Sequence, residues 1–203
     1  MTKPDQNSVT PTADGIAAAA TRAIKSRGPA PVHLWNPPFC GDLDIRIARD
    51  GTWFYLGSPI GRKPLVKLFA SILRKDGEDY FLVTPVEKVG ITVEDAPFIA
   101  VDFTVSGQGK DQEVTFITNV DDRVIATAVT PFRVEIDPAT KAPSPYILVR
   151  NNLEAKIDRK SFYRLVEICT RHEINGVGWF GLWSSGQFFP VILASELEGN
   201  TGR

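Results

Sequence analysis

The sequence predicts an α+β fold in two lobes, built by using a strand–helix–strand unit twice. Three observations predict it. Short stretches with strand alternation outnumber the amphipathic helical stretches. Two windows, beginning at Ile60 and Ile157, match each other at a constant offset. Turn signals at Asp50-Gly51, Asp76-Gly77 and Asn175-Gly176 cut the chain into short elements.

The chain has 203 residues, of which 43% are hydrophobic and 23% charged, so it can build a real core. Its net charge of -1 gives no global field to attract nucleic acid or an anionic membrane, and neither is expected as a partner. Two cysteines, Cys40 and Cys169, are too few for a disulfide framework. The first residues are polar and lack the apolar stretch of a secretory signal, and Ala17–Ala20 is far too short to span a bilayer. These features lead to the expectation of a cytoplasmic protein.

Residues 1–34 read as a polar tail and a short helix, capped by Asp14 and running to Lys25, with Ile16, Ala20 and Ile24 on one stripe. Gly28 and Pro29 end it, and the four prolines of Pro29–Pro38 imply an extended arm anchored by Trp35. Residues 35–88 form the expected first lobe. Leu43, Ile45 and Ile47 alternate with Asp42, Asp44 and Arg46, as in a strand with one polar face. Asp50-Gly51 turns the chain into a return strand, Trp53–Leu56. Pro64 suits a first helical turn, and Leu65, Leu68, Phe69, Ile72 and Leu73 continue one apolar stripe. Asp76-Gly77 stops that helix before a buried strand, Tyr80–Thr84.

Residues 89–203 form the expected β-rich second lobe. Its strands are Phe98–Val105, Glu113–Thr118, Val124–Val129 and Phe132–Ile136, then Tyr146–Val149 and Leu153–Ile157 after the loop Asp137–Pro145. Asp158 caps a helix expected over 159–172, with Phe162, Leu165, Val166 and Cys169 facing the core. Val177–Trp183 and Phe188–Leu193 close as a hairpin through Ser184–Gly186, ahead of a frayed tail from Glu198.

The repeat rests on Ile60-Gly61-Arg62-Lys63-Pro64-Leu65-Val66-Lys67-Leu68-Phe69 set against Ile157-Asp158-Arg159-Lys160-Ser161-Phe162-Tyr163-Arg164-Leu165-Val166. Each window follows a short strand and precedes another.

Gly41-Asp42-Leu43-Asp44-Ile45-Arg46-Ile47, Asp50-Gly51-Thr52-Trp53, Ser58-Pro59-Ile60-Gly61-Arg62 and Val83-Thr84-Pro85-Val86-Glu87-Lys88 together resemble domain-of-unknown-function family 1285, an uncharacterised bacterial family. Leu153-Glu154-Ala155-Lys156-Ile157-Asp158-Arg159 extends the likeness. The resemblance implies a duplicated core and a C-terminal lobe like a pleckstrin-homology barrel. It also implies a nucleotide-like ligand between the lobes and a role in signalling. It lends no catalytic residues.

The chemical lead in the residues themselves is electrostatic. Arg62-Lys63 and Arg159-Lys160 sit at two helix starts, where the dipole disfavours a cation by about 0.3–1 kcal/mol. A ligand phosphate or carboxylate would compensate. So would the chain's own Asp42, Asp44, Glu87, Glu154 or Asp158. The expected ligand set is Arg62, Lys63 and Arg159 for the anion, Arg150, Asn151 and Arg46 for polar contacts, and Trp53 or Tyr55 to stack on a base. Core packing is the competing reading for the two aromatics, and a simple turn for Arg150-Asn151-Asn152.

Asp42 and Asp44 have no third metal ligand at an obvious spacing, and Cys169 with His172 lacks the partners of a zinc site, so no metal and no cofactor are expected. Ser184-Ser185-Gly186 lacks the Gly-x-Ser-x-Gly frame of a nucleophile elbow. The leading expectation is a non-enzymatic protein binding a small anionic, nucleotide-like molecule at the lobe interface. The alternatives are a protein-interaction module using the Trp179–Trp183 strand, and an enzyme using Asp42, Asp44 and Glu87.

Overall fold

The structure is a computed structural model that describes residues 11–24 and 30–198. The expected polar tail up to residue 10, the end of the first helix at Lys25, the stop at Gly28-Pro29 and the tail beyond Glu198 lie outside the described residues. The chain divides into two units, Met1–Glu94 and Asp95–Arg203. Both are α+β and strand-rich.

The first unit opens with helix α1, Ala13–Ala23. Its N-cap is Thr12 and not the expected Asp14: the Thr12 hydroxyl accepts the Gly15 N–H at 3.1 Å, which leaves Asp14 in the first turn, where its charge suits the dipole. Six strands follow in one sheet: β1 Phe39–Ile47, β2 Trp53–Tyr55, β3 Ser58–Pro59, β4 Leu73–Asp76, β5 Asp79–Val83 and β6 Lys88–Val93. Helix α2, Lys63–Ser71, joins β3 to β4. The sheet order is β3-β2-β1-β6-β5-β4, with β1 and β6 parallel at the centre. α2 therefore carries the chain from one sheet edge to the other.

The apolar stripe of α2 was expected to continue through Ile72 and Leu73. Both are buried, but the helix ends at Ser71 and Leu73 opens β4. A short apolar run that passes from helix to strand keeps burying side chains, so hydrophobicity alone does not mark the junction. β6 was not anticipated either, and it extends this unit to Glu94. The core contains Ile45, Ile47, Trp53, Phe69, Ile72 and Leu82, each 2% exposed or less. α1 packs on α2 through this unit.

The second unit has two sheets. The larger comprises β7 Phe98–Ser106, β8 Glu113–Thr118, β9 Arg123–Ile125, β10 Phe132–Ile136, β11 Pro143–Arg150 and β12 Leu153–Ile157. Its order is β10-β11-β12-β7-β8-β9, with β7 and β12 parallel at the centre. Helix α3, Arg159–Glu167, leads to a three-stranded sheet of β13 Thr170–Ile174, β14 Val177–Ser184 and β15 Gln187–Leu193, closed by the short helix α4, Ala194–Glu198. The helix expected over 159–172 stops at Glu167, because Thr170–Ile174 pairs with β14 instead. The two sheets are tied by buried Ser184, whose hydroxyl accepts the Val114 N–H at 3.0 Å. A chain of rings, Phe103, Phe116, Phe132 and Phe189, runs through the core at centroid spacings of 6.1, 6.2 and 6.3 Å.

A repeat is present, but not the one the two windows suggested. Each six-stranded sheet consists of two three-stranded meanders, with the first strand of one lying parallel to the last strand of the other. The first unit inserts α2 between its meanders, whereas the second places α3 after both. β3, which precedes α2, is a sheet edge, while β12, which precedes α3, is central. The windows at Ile60 and Ile157 therefore occupy non-equivalent places. Their likeness reflects two amphipathic helix starts, not two copies of one element.

Candidate functional site

The start of α2 carries two cations and no capping side chain. Arg62 is its N-cap residue in extended conformation, and its carbonyl accepts from the N–H groups of Leu65 and Val66 at 2.9 and 3.2 Å. A side chain normally caps this position by accepting a backbone N–H, but arginine has no acceptor, and no side chain caps α2. The first turn holds no acidic residue. Arg62 and Lys63 are exposed and form no ion pair within the described residues. Together with Ala17, Ala18 and Thr21 of α1 and Leu68 of α2 they border an open hollow of about 720 Å³, and no carboxylate among the described residues lines it. The small alanines leave the space; the Thr21 hydroxyl donates to Ala17 O at 2.7 Å within its own helix.

The start of α3 differs. Asp158 caps it, its Oδ1 accepting the Ser161 N–H at 2.7 Å, so the protein supplies the compensating charge itself. Arg159 is exposed, and its Nε donates to Tyr163 Oη at 2.9 Å. It borders a smaller hollow of about 350 Å³ with Ser144, Lys156 and Tyr163. Lys156 is already committed, its Nζ lying 2.6 Å from Asp95 Oδ2. The other oxygen of Asp95 accepts the Tyr146 hydroxyl at 2.9 Å. Burial, then that bond, pushes the Tyr146 phenol up to about 12.

The remaining expected site residues do not gather around an anion. Arg46 pairs with Glu94 and lies 4.3 Å over the Phe54 ring. Arg150 pairs with Asp122 and lies 4.8 Å from the Phe98 centroid. Asn151 is an exposed turn residue with φ of 49°, a conformation asparagine tolerates. Trp53 is 2% exposed and stacks on Phe69, so it is a core residue and offers no face to a base. Tyr55 is half-buried on β2. Among the eight expected residues, Arg62 and Lys63 adjoin each other in the first unit, while Arg150, Asn151 and Arg159 belong to the second.

Other expectations resolve locally. Glu154 of β12 binds Arg133 of β10 bidentately at 2.7 and 2.6 Å across the intervening strand β11, a pairing with no evident mark in the sequence. Asp42 and Asp44 are exposed. No three His, Cys, Asp or Glu residues among the described ones group to hold a metal. Cys169 lies beyond the end of α3 and not on its stripe; burial pushes its thiol up to about 11. His172 stands on β13 with its ring 4.9 Å from Trp183 and 4.8 Å from Phe188, so it is not a helical neighbour of Cys169. The strand Trp179–Trp183 belongs to β14, whose two edges are both occupied by β13 and β15, so it cannot accept a partner strand. The turn at Ser185-Gly186 has φ of 50° and 74°, a hairpin turn with a structural serine before it. No described helix is long and apolar enough to cross a membrane.

Two α+β units place the chain among proteins whose chemistry the fold alone does not declare. The family profile of the DUF1285 N-terminal domain, a domain of unknown function, matches residues 30–96, and that of the DUF1285 C-terminal domain matches residues 97–191. The chain belongs to the DUF1285 family. It is similar to the crystal structure of a DUF1285 family protein from Silicibacter pomeroyi DSS-3, at 60% identity over 92% of this chain and 100% of that one, with a TM-score of 0.81. A DUF1285 family protein from Shewanella baltica OS155 is 30% identical over 62% of this chain and 91% of its own, with a TM-score of 0.49. No curated protein matches the chain.

Proposed function

We propose that this protein is a cytoplasmic, non-enzymatic binding protein for a small anionic ligand of nucleotide-like chemistry, and that occupancy of the site serves signalling. One observation carries the reading: Arg62 and Lys63 stand unpaired by any described carboxylate at the uncapped start of α2, beside a hollow that no described acid lines. An anion there meets two cations and the positive end of a helix dipole, and an apolar floor of alanines accommodates a base or other flat group. The pleckstrin-like reading of the second unit belongs with this proposal. It draws support from two antiparallel-rich sheets and the nine-residue helix α3, though the parallel β7–β12 pair departs from a simple meander barrel.

Arg62→Asp tests the proposal. Aspartate is a good N-cap, so the variant gains about 1 kcal/mol of stability while losing the anion site. Thermal melts of wild type with a panel of nucleotides and with inorganic phosphate should show a concentration-dependent rise, equivalent to about 2.7 kcal/mol at a hundredfold excess over Kd. The variant should melt higher without ligand and respond to none. A wild type unmoved by every anion at millimolar concentration, or a variant that responds as wild type does, overturns the reading.

A further inference from the structure

A third hollow, of about 760 Å³, lies wholly within the second unit, among β10, α3, β14, β15 and α4. Its walls are the side chains of Ile136, Phe162, Val166, Cys169, Phe180 and Ile192. Ile136 and Val166 are each 46% exposed although both are large and apolar. Such a concave apolar surface has the size and character of a small-molecule pocket rather than of a solvated face. Its formal charges are at Lys141 and Glu196, both exposed and neither in an ion pair within the described residues.

The geometry points to a site for a single-chain amphiphile, its aliphatic chain against these walls and its anionic head at Lys141. The chemistry of the lining selects this occupant over others. A peptide laid in the hollow would bring many backbone N–H and C=O groups against a described lining whose side chains are polar only at Lys141, Glu196 and Cys169. An alkyl chain needs no polar partner and gains from every methylene it withdraws from water. Among the described residues of the lining Lys141 supplies the one cation, and Glu196 limits the head to a single negative charge, since a dianion would meet its carboxylate. The inference is independent of the α2 site, which lies in the other unit.

The test uses the full chain carrying Cys40→Ser, which leaves Cys169 in the wall as the single thiol. Dodecanoate, kept below its micellar concentration, is titrated by calorimetry, and the labelling rate of Cys169 by a thiol reagent is followed in parallel. Saturable one-to-one binding that slows labelling by about tenfold or more is expected, because a filled hollow excludes the reagent. Val166→Asp, at a position exposed enough to keep the fold, should lose more than about tenfold in affinity by setting a charge against the chain. Lys141→Glu should lose about fivefold, and dodecyltrimethylammonium should bind correspondingly more weakly than dodecanoate. Arg62→Asp should change nothing here. Absence of saturable binding overturns the inference. So do equal affinities for the two head charges, wild-type binding by a folded Val166→Asp or Ile136→Glu chain, and self-association that protects Cys169 without any amphiphile.

Discussion

Two glycines in the strands give a matched pair of perturbations in which the same added methyl meets different neighbours. Gly181 lies in β14, opposite Pro190 of β15 and beside an irregularity in the pairing at Phe180. A Cβ there would stand 2.3 Å from the Phe189 carbonyl oxygen and 2.5 Å from the Phe188 ring. Carbon and carbonyl oxygen ordinarily approach to about 3.3–3.6 Å, so Gly181→Ala must part the strands by about 1 Å. That breaks one or two ladder bonds, at about 1 kcal/mol each, and forces the Phe188 ring from its contacts with His172 and Trp183. With overpacking of about 1–3 kcal/mol the cost comes to about 3 kcal/mol, or on the order of 10 °C in the melting temperature of a unit this size. Gly90 in β6 would place its Cβ even closer to an atom, 2.1 Å from Asp42 Oδ1. That atom ends an exposed side chain, which can rotate into solvent, so Gly90→Ala should stay within about 0.5 kcal/mol of wild type. Calorimetric melts and urea titrations of both variants measure the difference. A Gly181→Ala protein melting within about 2 °C of wild type would refute the close β14–β15 packing, and a large loss in Gly90→Ala would refute the freedom assigned to Asp42.

Three further outcomes follow from local geometry. Asp102 accepts from Arg164 at 2.5 Å and from the Phe103 N–H at 2.8 Å, and these bonds hold its carboxyl below the usual range. A depressed folded value stabilises above the unfolded value near 4 and loses that contribution as pH falls through the folded one, so Asp102→Asn should flatten the acid limb of stability below about pH 4, read by melts across pH. Tyr146 has the opposite sense: its raised value favours the protonated phenol in the folded state, so stability is complete below the unfolded value near 10 and declines as pH rises toward 12, a decline that Tyr146→Phe should remove from alkaline melts. Phe116→Ala, at 0% exposure and in contact with both Phe103 and Phe132, should cost about 3–5 kcal/mol in a urea titration of the second unit.

The sequence disclosed most strands because alternation and turn chemistry are local. Leu43, Ile45 and Ile47 alternate and are buried, and Asn175-Gly176 and Ser185-Gly186 turn where their φ-tolerant residues stand. Ends and partners were hidden where two periodicities overlap. Ile72-Leu73 keeps an apolar run through a helix-to-strand change, and no glycine or proline marks the passage from α3 to β13 before Asn175-Gly176, so both helices looked longer than they are. The parallel pairings of β1 with β6 and β7 with β12 are non-local, and no signal in either strand announces them. Trp53 and Tyr55 fell on one strand face as read, but whether that face meets water or Phe69 depends on where α2 lies.

The candidate site was legible only in part for a related reason. Four arginines of the expected set are chemically alike in the sequence, and the distinction among them is whether a carboxylate stands within reach. Arg46 and Arg150 each found one, at Glu94 and Asp122, and each also covers a phenylalanine ring, so both are spent on structure. At the helix starts a single residue decides the matter. Asp158 precedes Arg159 and satisfies the α3 terminus, whereas the position equivalent in the two windows is Gly61, which can satisfy nothing. Arg62 then occupies the N-cap itself, where a residue without an acceptor forgoes about 1 kcal/mol that aspartate would recover. A stability cost that one substitution removes, set at the rim of a hollow lined by no described acid, is the pattern expected when function and not folding selects the residue.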